Sequence, residues 1–519
     1  MDAAEIRQAG GDEGLWSWLA RDCIAHQAAR QPDRTACVVL TTGERYSFRQ
    51  LEETVAAAAA HLARRAASGA RVVLLARNSL HHLVLLFACA RAGLVFVPLN
   101  WRLPAAELKL LLKDAQPELM FVDPEFAEAG GEAAADLPVE TVSTLGLAWP
   151  AVEAEPVPLQ PLASDAPWVL LYTSGTTGRP KGVVITRRTA FFGAYNFAQV
   201  SGVSAASATL ADAPFFHVVG LMAVLHAGVA AGACVLIADR FTPAATLARL
   251  SDPAYGVTHY FCVPQMAQAL LDDPGYASAD LSRLHGFFTG GAPLPAPLAQ
   301  ALIEDRIPLS NGYGLSEAGT VMHMPLRDAR TTAKPTAVGA PAPCVEVRLV
   351  GTDGRDVATG EIGEVWLRGP AVTPGYWRQP EATAAAFSDG WYRTGDAGRR
   401  DEDGFYTLID RWKDMYISGG ENVYPAEVES ALMELEGVAD AAVVGVSHAR
   451  WGETGCAFLV RASGADGLDE AAVNAFCRKR LAGYKRPTAV RFIDSIPRTA
   501  SGKIRKDLLR ANANALPQP

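Results

Sequence analysis

The sequence predicts an α/β protein: a large N-terminal domain of parallel α/β sheets with a β-barrel-like subdomain, then a small mobile α+β domain at the C-terminus. Three observations predict it. The chain has 519 residues, too many for one ordinary core. Helix-like and strand-like stretches alternate up to about residue 320, which is the signature of βαβ units. From about residue 340 the pattern changes to period-two strands separated by glycine turns.

In chain order, Leu51–Arg65 is an Ala-rich helix and Arg71–Leu75 a short strand. An apolar helix over His81–Ala92 and a strand over Val95–Pro98 follow, then an amphipathic stretch at Leu108–Asp114 and a strand at Leu119–Val122. Residues 127–160, rich in Ala, Glu and Pro, read as loop. Strands resume at Trp168–Leu171, Cys234–Ala238, Tyr260–Val263 and Gly286–Phe288. Val218–Ala238 carries no Asp, Glu, Lys or Arg and is long enough to span a bilayer. His226, Gly228 and Gly232 interrupt it, so the reading is a buried helix, a turn near Gly228–Gly232 and a buried strand. Val345–Val350 and Gly363–Arg368 alternate in period two around Gly351, Gly354 and Gly360. The charged segment Asp410–Asp414 marks the best boundary, giving domains 1–412 and 413–519. The second carries helices at Glu427–Glu436 and Glu470–Leu481 and strands at Ala441–Val446, Cys456–Val460 and Ala489–Ile493, with a frayed last ten residues.

A net charge of −9 leaves no basic footprint for nucleic acid. The eight cysteines are scattered, mostly beside apolar residues, and form no CxxC or Cys/His cluster. They read as core residues of a reducing compartment rather than a metal or disulfide frame. The opening Met1-Asp-Ala-Ala-Glu5 has no basic-then-apolar leader, so a cytoplasmic protein without an integral membrane segment is expected.

The chemistry is concentrated in six motifs. Tyr172 to Val183 (Tyr-Thr-Ser-Gly-Thr-Thr-Gly-Arg-Pro-Lys-Gly-Val) follows an apolar strand with small and hydroxyl residues and two cations. Free N–H groups in such a loop attract anions, and hydroxyls add donors, as a polyphosphate requires. It is not a Walker loop, since Pro180 stands where a second glycine belongs. Phe288-Thr-Gly-Gly-Ala-Pro-Leu294 ends a strand in small residues on which a flat ring can lie. Asn311-Gly-Tyr-Gly-Leu-Ser-Glu317 brings an aromatic platform, a hydroxyl and a carboxylate together. Trp391–Asp396 adds a carboxylate, Arg411–Pro425 combines cations with a glycine pair, and Pro497–Lys503 sets a lysine in a Gly/Ser loop.

Six motifs in this order, spanning roughly residues 16–510, resemble the adenylate-forming superfamily, in its acyl- and aryl-CoA synthetase branch. The resemblance implies a carboxylate attacking the α-phosphate of ATP to give acyl-adenylate and pyrophosphate, followed by displacement of AMP by a thiol. It implies that Thr173, Ser174, Gly175, Thr176, Thr177 and Lys181 hold the β- and γ-phosphates, and that Gly291, Ala292 and Tyr313 sandwich the adenine, with Asn311 in the same motif. Ser316 would touch the α-phosphate, and Glu317, with Thr173, would hold Mg²⁺. Asp396 and Arg411 would reach the ribose, the arginine also the phosphates. Lys503 would bridge acyl carboxylate and α-phosphate, and His217 would stand at the mouth of the acyl tunnel. For the second half-reaction, the resemblance implies a hinge at Lys413, a pantetheine tunnel lined by Gly419 and Gly420, and Lys485 near the CoA nucleotide.

The function expected is therefore an ATP-dependent carboxylic acid:CoA ligase that uses Mg²⁺ and coenzyme A. Its acid is apolar, fatty or aromatic, because His217–Ala238 holds no charged residue other than histidine and Val321–Met324 is mostly apolar. A stand-alone adenylating enzyme that loads a carrier protein is the alternative, and a nucleotide-binding protein without catalysis a third reading. The oligomeric state is open, a homodimer included.

Overall fold

The computed structural model describes residues 22–147, 149, 164–173, 180–448, 450–465, 467–498 and 504–514. The chain divides into two compact units, Met1–Val347 with Leu367–Tyr392, and Arg348–Trp366 with Arg393–Pro519.

Two sheets build the first unit. The larger has nine strands in the order Ala340–Pro341, Gly319–His323, Leu309–Leu315, Gly286–Thr289, His259–Cys262, Ala208–Ala211, Cys234–Ile237, Thr35–Val39 and Arg45–Ser47. Its centre is parallel and its edges are antiparallel. The smaller has six strands in the order Glu140–Ser143, Leu119–Val122, Arg71–Leu75, Val95–Pro98, Pro167–Thr173 and Lys181–Thr186. Period two explains how each sheet is buried on both faces. Val72 and Leu74 point into one core with Phe96, Cys37, Val235 and Ile237, and helix Leu80–Ala92 fills it with Leu83–Leu86. Val73 and Leu75 point the other way, onto Leu108 and Leu112. Helix Phe48–Ala63 starts at a reciprocal cap between Ser47 and Gln50, which satisfies two backbone donors that a helix start leaves open.

Four expectations need correction. Residues 127–160 are not loop throughout: Ala127–Ala134 is helical and Glu140–Ser143 is a strand paired in parallel with Leu119–Val122. Gly130 lets that helix lie close on the sheet, where an added Cβ would be 3.1 Å from Val122 and 3.3 Å from Leu75. Lys181 does not sit in the phosphate loop but opens the strand Lys181–Thr186, antiparallel to Pro167–Thr173 with Thr173 opposite Lys181. In the charge-free stretch the helical region runs through Gly228 to Ala230, and the turn falls at Gly232, whose φ is +77°. The last ten residues are not wholly frayed, because helix Lys506–Asn514 reaches into them and packs Leu509 against Val444 and Phe458. No described helix is long and apolar enough to cross a membrane.

A curled five-stranded sheet orders Glu346–Val350, Ile362–Arg368, Trp391–Arg400 and Phe387–Ser388, with Tyr406–Arg411 paired to Trp391–Arg400. It is the barrel-like subdomain that the period-two pattern predicts. The C-terminal part of the second unit is a further five-stranded sheet, with Gly452–Arg461 between Val438–His448 and Tyr416–Ser418 and parallel to Ala489–Phe492. Ala441, Val443 and Leu459 face helices Pro425–Met433 and Glu470–Arg480, while Ala442, Val444 and Phe458 face Lys506–Asn514.

Candidate active site

The first unit holds a cavity of about 720 Å³, open mouth included, at the carboxyl ends of the parallel strands Gly286–Thr289 and Leu309–Leu315. Ligands of open parallel sheets bind at this end. One side of the cavity is bare backbone. Gly290, Gly291, Gly312 and Gly314 line it, and two of them cannot carry a side chain. A Cβ on Gly312 would lie 2.7 Å from His323, and one on Gly314 would lie 2.5 Å from the Gly319 carbonyl. The opposite side is apolar. It comes from Val218, Val219, Met222 and Ala223, the last three on a π-helix, Val219–His226. Such wide turns occur often at functional sites.

The polar end lies at the turn after strand Leu309–Leu315, where Ser316 and Glu317 reach the cavity wall. The segment 373–377 fixes Glu317 twice. The Thr373 N–H donates to the Glu317 carbonyl at 2.6 Å, and the Tyr376 hydroxyl donates to Glu317 Oε1 at 3.0 Å. Tyr376 is itself positioned by pairing with strand Lys181–Thr186, through a bridge to Val183 and the Trp377 N–H bond to the Gly182 carbonyl. Its ring lies 4.8 Å from the Lys181 ammonium, so cation, phenol and carboxylate follow one another. Tyr392, buried, closes the series 3.1 Å from the Tyr376 hydroxyl. Burial, the negative charge of Glu317 and the neighbouring Tyr376 push the Tyr392 phenol well above its ordinary range, so it stays a neutral donor.

The other expected residues are placed as follows. Tyr313 and Gly291 line the cavity, and Ala292 follows Gly291. The Asn311 side chain is held by protein: it accepts from Thr289 Oγ1 at 3.1 Å and donates to the Ala337 carbonyl at 3.0 Å. It ties its strand to Gly286–Thr289 and to the segment before Ala340–Pro341. Thr173 ends its strand with its hydroxyl 3.4 Å from the Lys181 carbonyl. His217 stands just before the apolar wall, its ring 4.6 Å from Phe216. Ser174, Gly175, Thr176, Thr177 and Lys503 lie outside the described residues.

In the second unit, Asp396 and Arg411 are opposite each other on paired strands and form an ion pair at 2.9 Å. Lys413 lies in the single 3-10 turn Trp412–Asp414, and burial lowers its pKa. Gly419 and Gly420 have φ of +61° and +90° and make the hairpin turn between Tyr416–Ser418 and Glu421–Val423. Lys485 is paired with Glu427 at 2.5 Å.

A glycine-floored slot that ends in a held carboxylate suits a nucleotide joined to an acyl group. The family model of the AMP-binding enzymes matches residues 24–377, and that of the AMP-binding enzyme C-terminal domain matches residues 427–503. The chain belongs to the AMP-binding enzyme family. It is 39% identical to a feruloyl-CoA synthase of Amycolatopsis sp, over 96% of this chain and 99% of that protein. It is 38% identical to an indoleacetate–CoA ligase of Aromatoleum aromaticum, over 85% of this chain and 87% of that one. Among solved structures, o-succinylbenzoate CoA synthetase of Bacillus subtilis with its acyl-adenylate superposes with a TM-score of 0.84 at 30% identity, covering 94% of this chain and 97% of that chain.

Sequence reasoning missed Tyr376, Thr373 and His323. The first two stand between the motifs of the sequence analysis, and nothing in the sequence points them at Glu317. The signal for His323 was present: it is the one polar side chain in the apolar run Val321–Met324.

Proposed function

We propose that this AMP-forming acid–thiol ligase joins an apolar aromatic acid to coenzyme A, with Mg²⁺ as its cation. The reaction class follows from the AMP-binding enzyme family and from relatives named as a feruloyl-CoA synthase and an indoleacetate–CoA ligase. One observation carries the aromatic reading: the acyl side of the cavity is a slot with glycine backbone on one side and Val219, Met222 and Phe261 around it. A Cβ on Gly290 would come within 3.0 Å of the Gly312 carbonyl and 3.4 Å of the Phe261 ring, so bare backbone keeps a flat space open. The relatives whose names specify feruloyl and indoleacetyl groups support the same reading.

In the first step an acid oxygen forms a bond to the α-phosphorus of ATP and pyrophosphate leaves. In the second, the CoA sulfur, as thiolate, bonds to the acyl carbon and AMP leaves. Glu317 suits a hard cation, because Tyr376 occupies one carboxylate oxygen and leaves the other without a protein partner among the described residues. Mg²⁺ held there would supply positive charge against the phosphates. Lys181, held on Tyr376, adds positive charge on the same side, with Thr173 opposite it. Ser316 donates a hydroxyl at the turn, and Tyr313 and Gly291 bound the flat space for the purine. Lys503 serves adenylation, and Gly419 and Gly420 serve thiolation, with residues 413–519 turning as a domain at Lys413. The eight cysteines are unpaired, which suits a cytoplasmic setting.

The test is a panel of acids from C2 to C18, with benzoates, phenylacetates and cinnamates, scored by AMP release with CoA and, in parallel, with a carrier protein. The highest kcat/KM is expected for an aryl acid with CoA. A preference for C12–C18 chains, or AMP release only with the carrier protein, would overturn the proposal.

A further inference from the structure

We propose that His323 selects the acid: its Nε2 accepts a hydrogen bond from an O–H or N–H on the aromatic ring, remote from the carboxylate. The inference rests on the aryl-acid reading of the cavity given above.

Position is the first support. His323 lines the cavity and pairs across the strands with Gly312. Gly312 has no side chain to cover the imidazole, and a Cβ there would meet His323 Cδ2 at 2.7 Å and Nε2 at 2.8 Å. The Cδ2–Nε2 edge therefore lies over Gly312, itself a cavity-lining residue with no side chain to cover it. The ring is held from behind by Phe288, edge-on at 5.3 Å.

The tautomer is the second. Ser310, fully buried, lies 2.5 Å from His323 Nδ1 and makes a short bond to the Met324 carbonyl. A serine hydroxyl has one proton, and the carbonyl can only accept. The Ser310 proton therefore goes to Met324, and the Ser310 oxygen accepts from Nδ1–H. Nε2 is left as a bare lone pair. Burial lowers the His323 pKa to about 4, so the ring is neutral at physiological pH.

Chemistry is the third. Nε2 has no protein partner among the described residues, and His323 is only 7% exposed. Water can satisfy Nε2 in the open cavity, but a ligand that displaces it leaves the acceptor unpaired unless it supplies a donor. An acid with a phenol or an indole-type N–H does so; an alkyl chain or an unsubstituted ring does not. The span fits. Four residue steps lead from Gly312, opposite His323, to Ser316 at the polar end, roughly 13 Å of extended chain. A ring on a short tether bridges that distance between the reacting carboxylate and His323.

The experiment compares kcat/KM for 3- and 4-hydroxycinnamate, and the matching phenylacetates, against the unsubstituted acids, by AMP release with ATP, Mg²⁺ and CoA. The wild-type protein is expected to favour at least one hydroxylated acid by on the order of 10–100-fold. In His323→Phe the ratio should fall to about 1, whatever the absolute rate with either acid. Equal use of both acids by the wild type, or an unchanged ratio in the variant, would overturn the assignment and leave the ligase reading standing. Failure to release AMP with any aryl acid would instead overturn that reading. Should His323→Phe fold poorly, ¹⁵N NMR of the unaltered protein decides. Nε2 should resonate as an unprotonated nitrogen and shift only with the hydroxylated acid; a protonated Nε2 would refute the proposal.

Discussion

Tyr376→Phe separates a structural from a catalytic effect at the polar end of the cavity. The hydroxyl proton of Tyr376 is committed to Glu317 Oε1 at 3.0 Å. The 3.1 Å contact with Tyr392 must therefore have Tyr392 as donor. Removing one oxygen breaks both bonds. A hydrogen bond to a charged acceptor contributes about 1.5–3 kcal/mol. If Glu317 must be held to meet its cation, that loss appears as a fall in adenylation kcat/KM of roughly 10–100-fold, with a weaker apparent affinity for Mg²⁺. The second loss leaves the Tyr392 hydroxyl, in a residue only 4% exposed, without an acceptor, costing about 1–3 kcal/mol of stability. Acid-dependent ATP–pyrophosphate exchange at several Mg²⁺ concentrations reads the first, and urea unfolding the second. The two are made independent by a cycle with Glu317→Gln. The pair should couple by about 1.5–3 kcal/mol in exchange activity. Additivity within about 0.5 kcal/mol would show that Tyr376 acts without Glu317 and would refute the reasoning.

Four other perturbations test the remaining parts. Lys506 in the second unit is 2.9 Å from Glu429 and 3.9 Å from Asp410, all three nearly buried, and burial raises the pKa of both acids. Lys506→Met should cost about 3–5 kcal/mol in urea unfolding at pH 7.5, and the deficit should shrink toward pH 5 as the stranded carboxylates take up protons; a cost below about 1 kcal/mol would contradict this. In the first unit, burial lowers His82 to about 3 and His226, His259 and His323 to about 4, while it raises Asp212 to about 7. Between pH 6.5 and 4.5 the unfolded chain binds four histidine protons that the native state refuses, and the native state holds one on Asp212. Stability should thus fall with pH across that window, at about 4 kcal/mol per unit where steepest, and a flat urea midpoint from pH 7.5 to 5 would refute it. Lys503→Ala should reduce acyl-adenylate formation by roughly 10²–10³ and spare thiolation of supplied adenylate, whereas Lys413→Pro should spare pyrophosphate release and stall the thioester step; equal loss in both half-reactions in either variant would sink the division of labour.

Much of this architecture is legible in the sequence, because its signals are local. Apolar runs such as Arg71–Leu75 and Leu119–Val122 mark strands buried on both faces, and both form as read. The turn chemistry of Gly419 and Gly420 is equally local. What stayed hidden depends on distant partners. Lys181 follows a Gly/Ser/Thr-rich stretch and looks like loop, yet pairing with Thr173 makes it the first residue of a strand. The Ala/Glu/Pro-rich segment 127–160 looks like linker, yet Glu140–Ser143 finds a free edge beside Leu119–Val122. Asn311 sits in a binding motif, but its amide is satisfied by Thr289 and Ala337, contacts that no motif encodes. Tyr376 lies 59 residues from Glu317, and only the fold brings the two together.

The apolar wall shows how backbone geometry, rather than composition, decides which side chains meet the acid. In Val219–His226 the hydrogen bonds run with the wider π spacing, so each turn takes more residues than an α-turn. Val219, Met222 and Ala223 face the cavity. At the end of the same helix, His226 turns into the core, 5.2 Å from Trp168 and 5.8 Å from Phe87. Its start is pinned by Gly220, where a Cβ would lie 2.3 Å from the Pro214 carbonyl. A stretch that reads as uniformly apolar is thus divided into a cavity face and a core face. The floor opposite consists of glycines that offer no side chains at all. Thr189, Thr320 and His323 also line the cavity, and of these the imidazole, with its open acceptor, is the group proposed above to tell one ring from another.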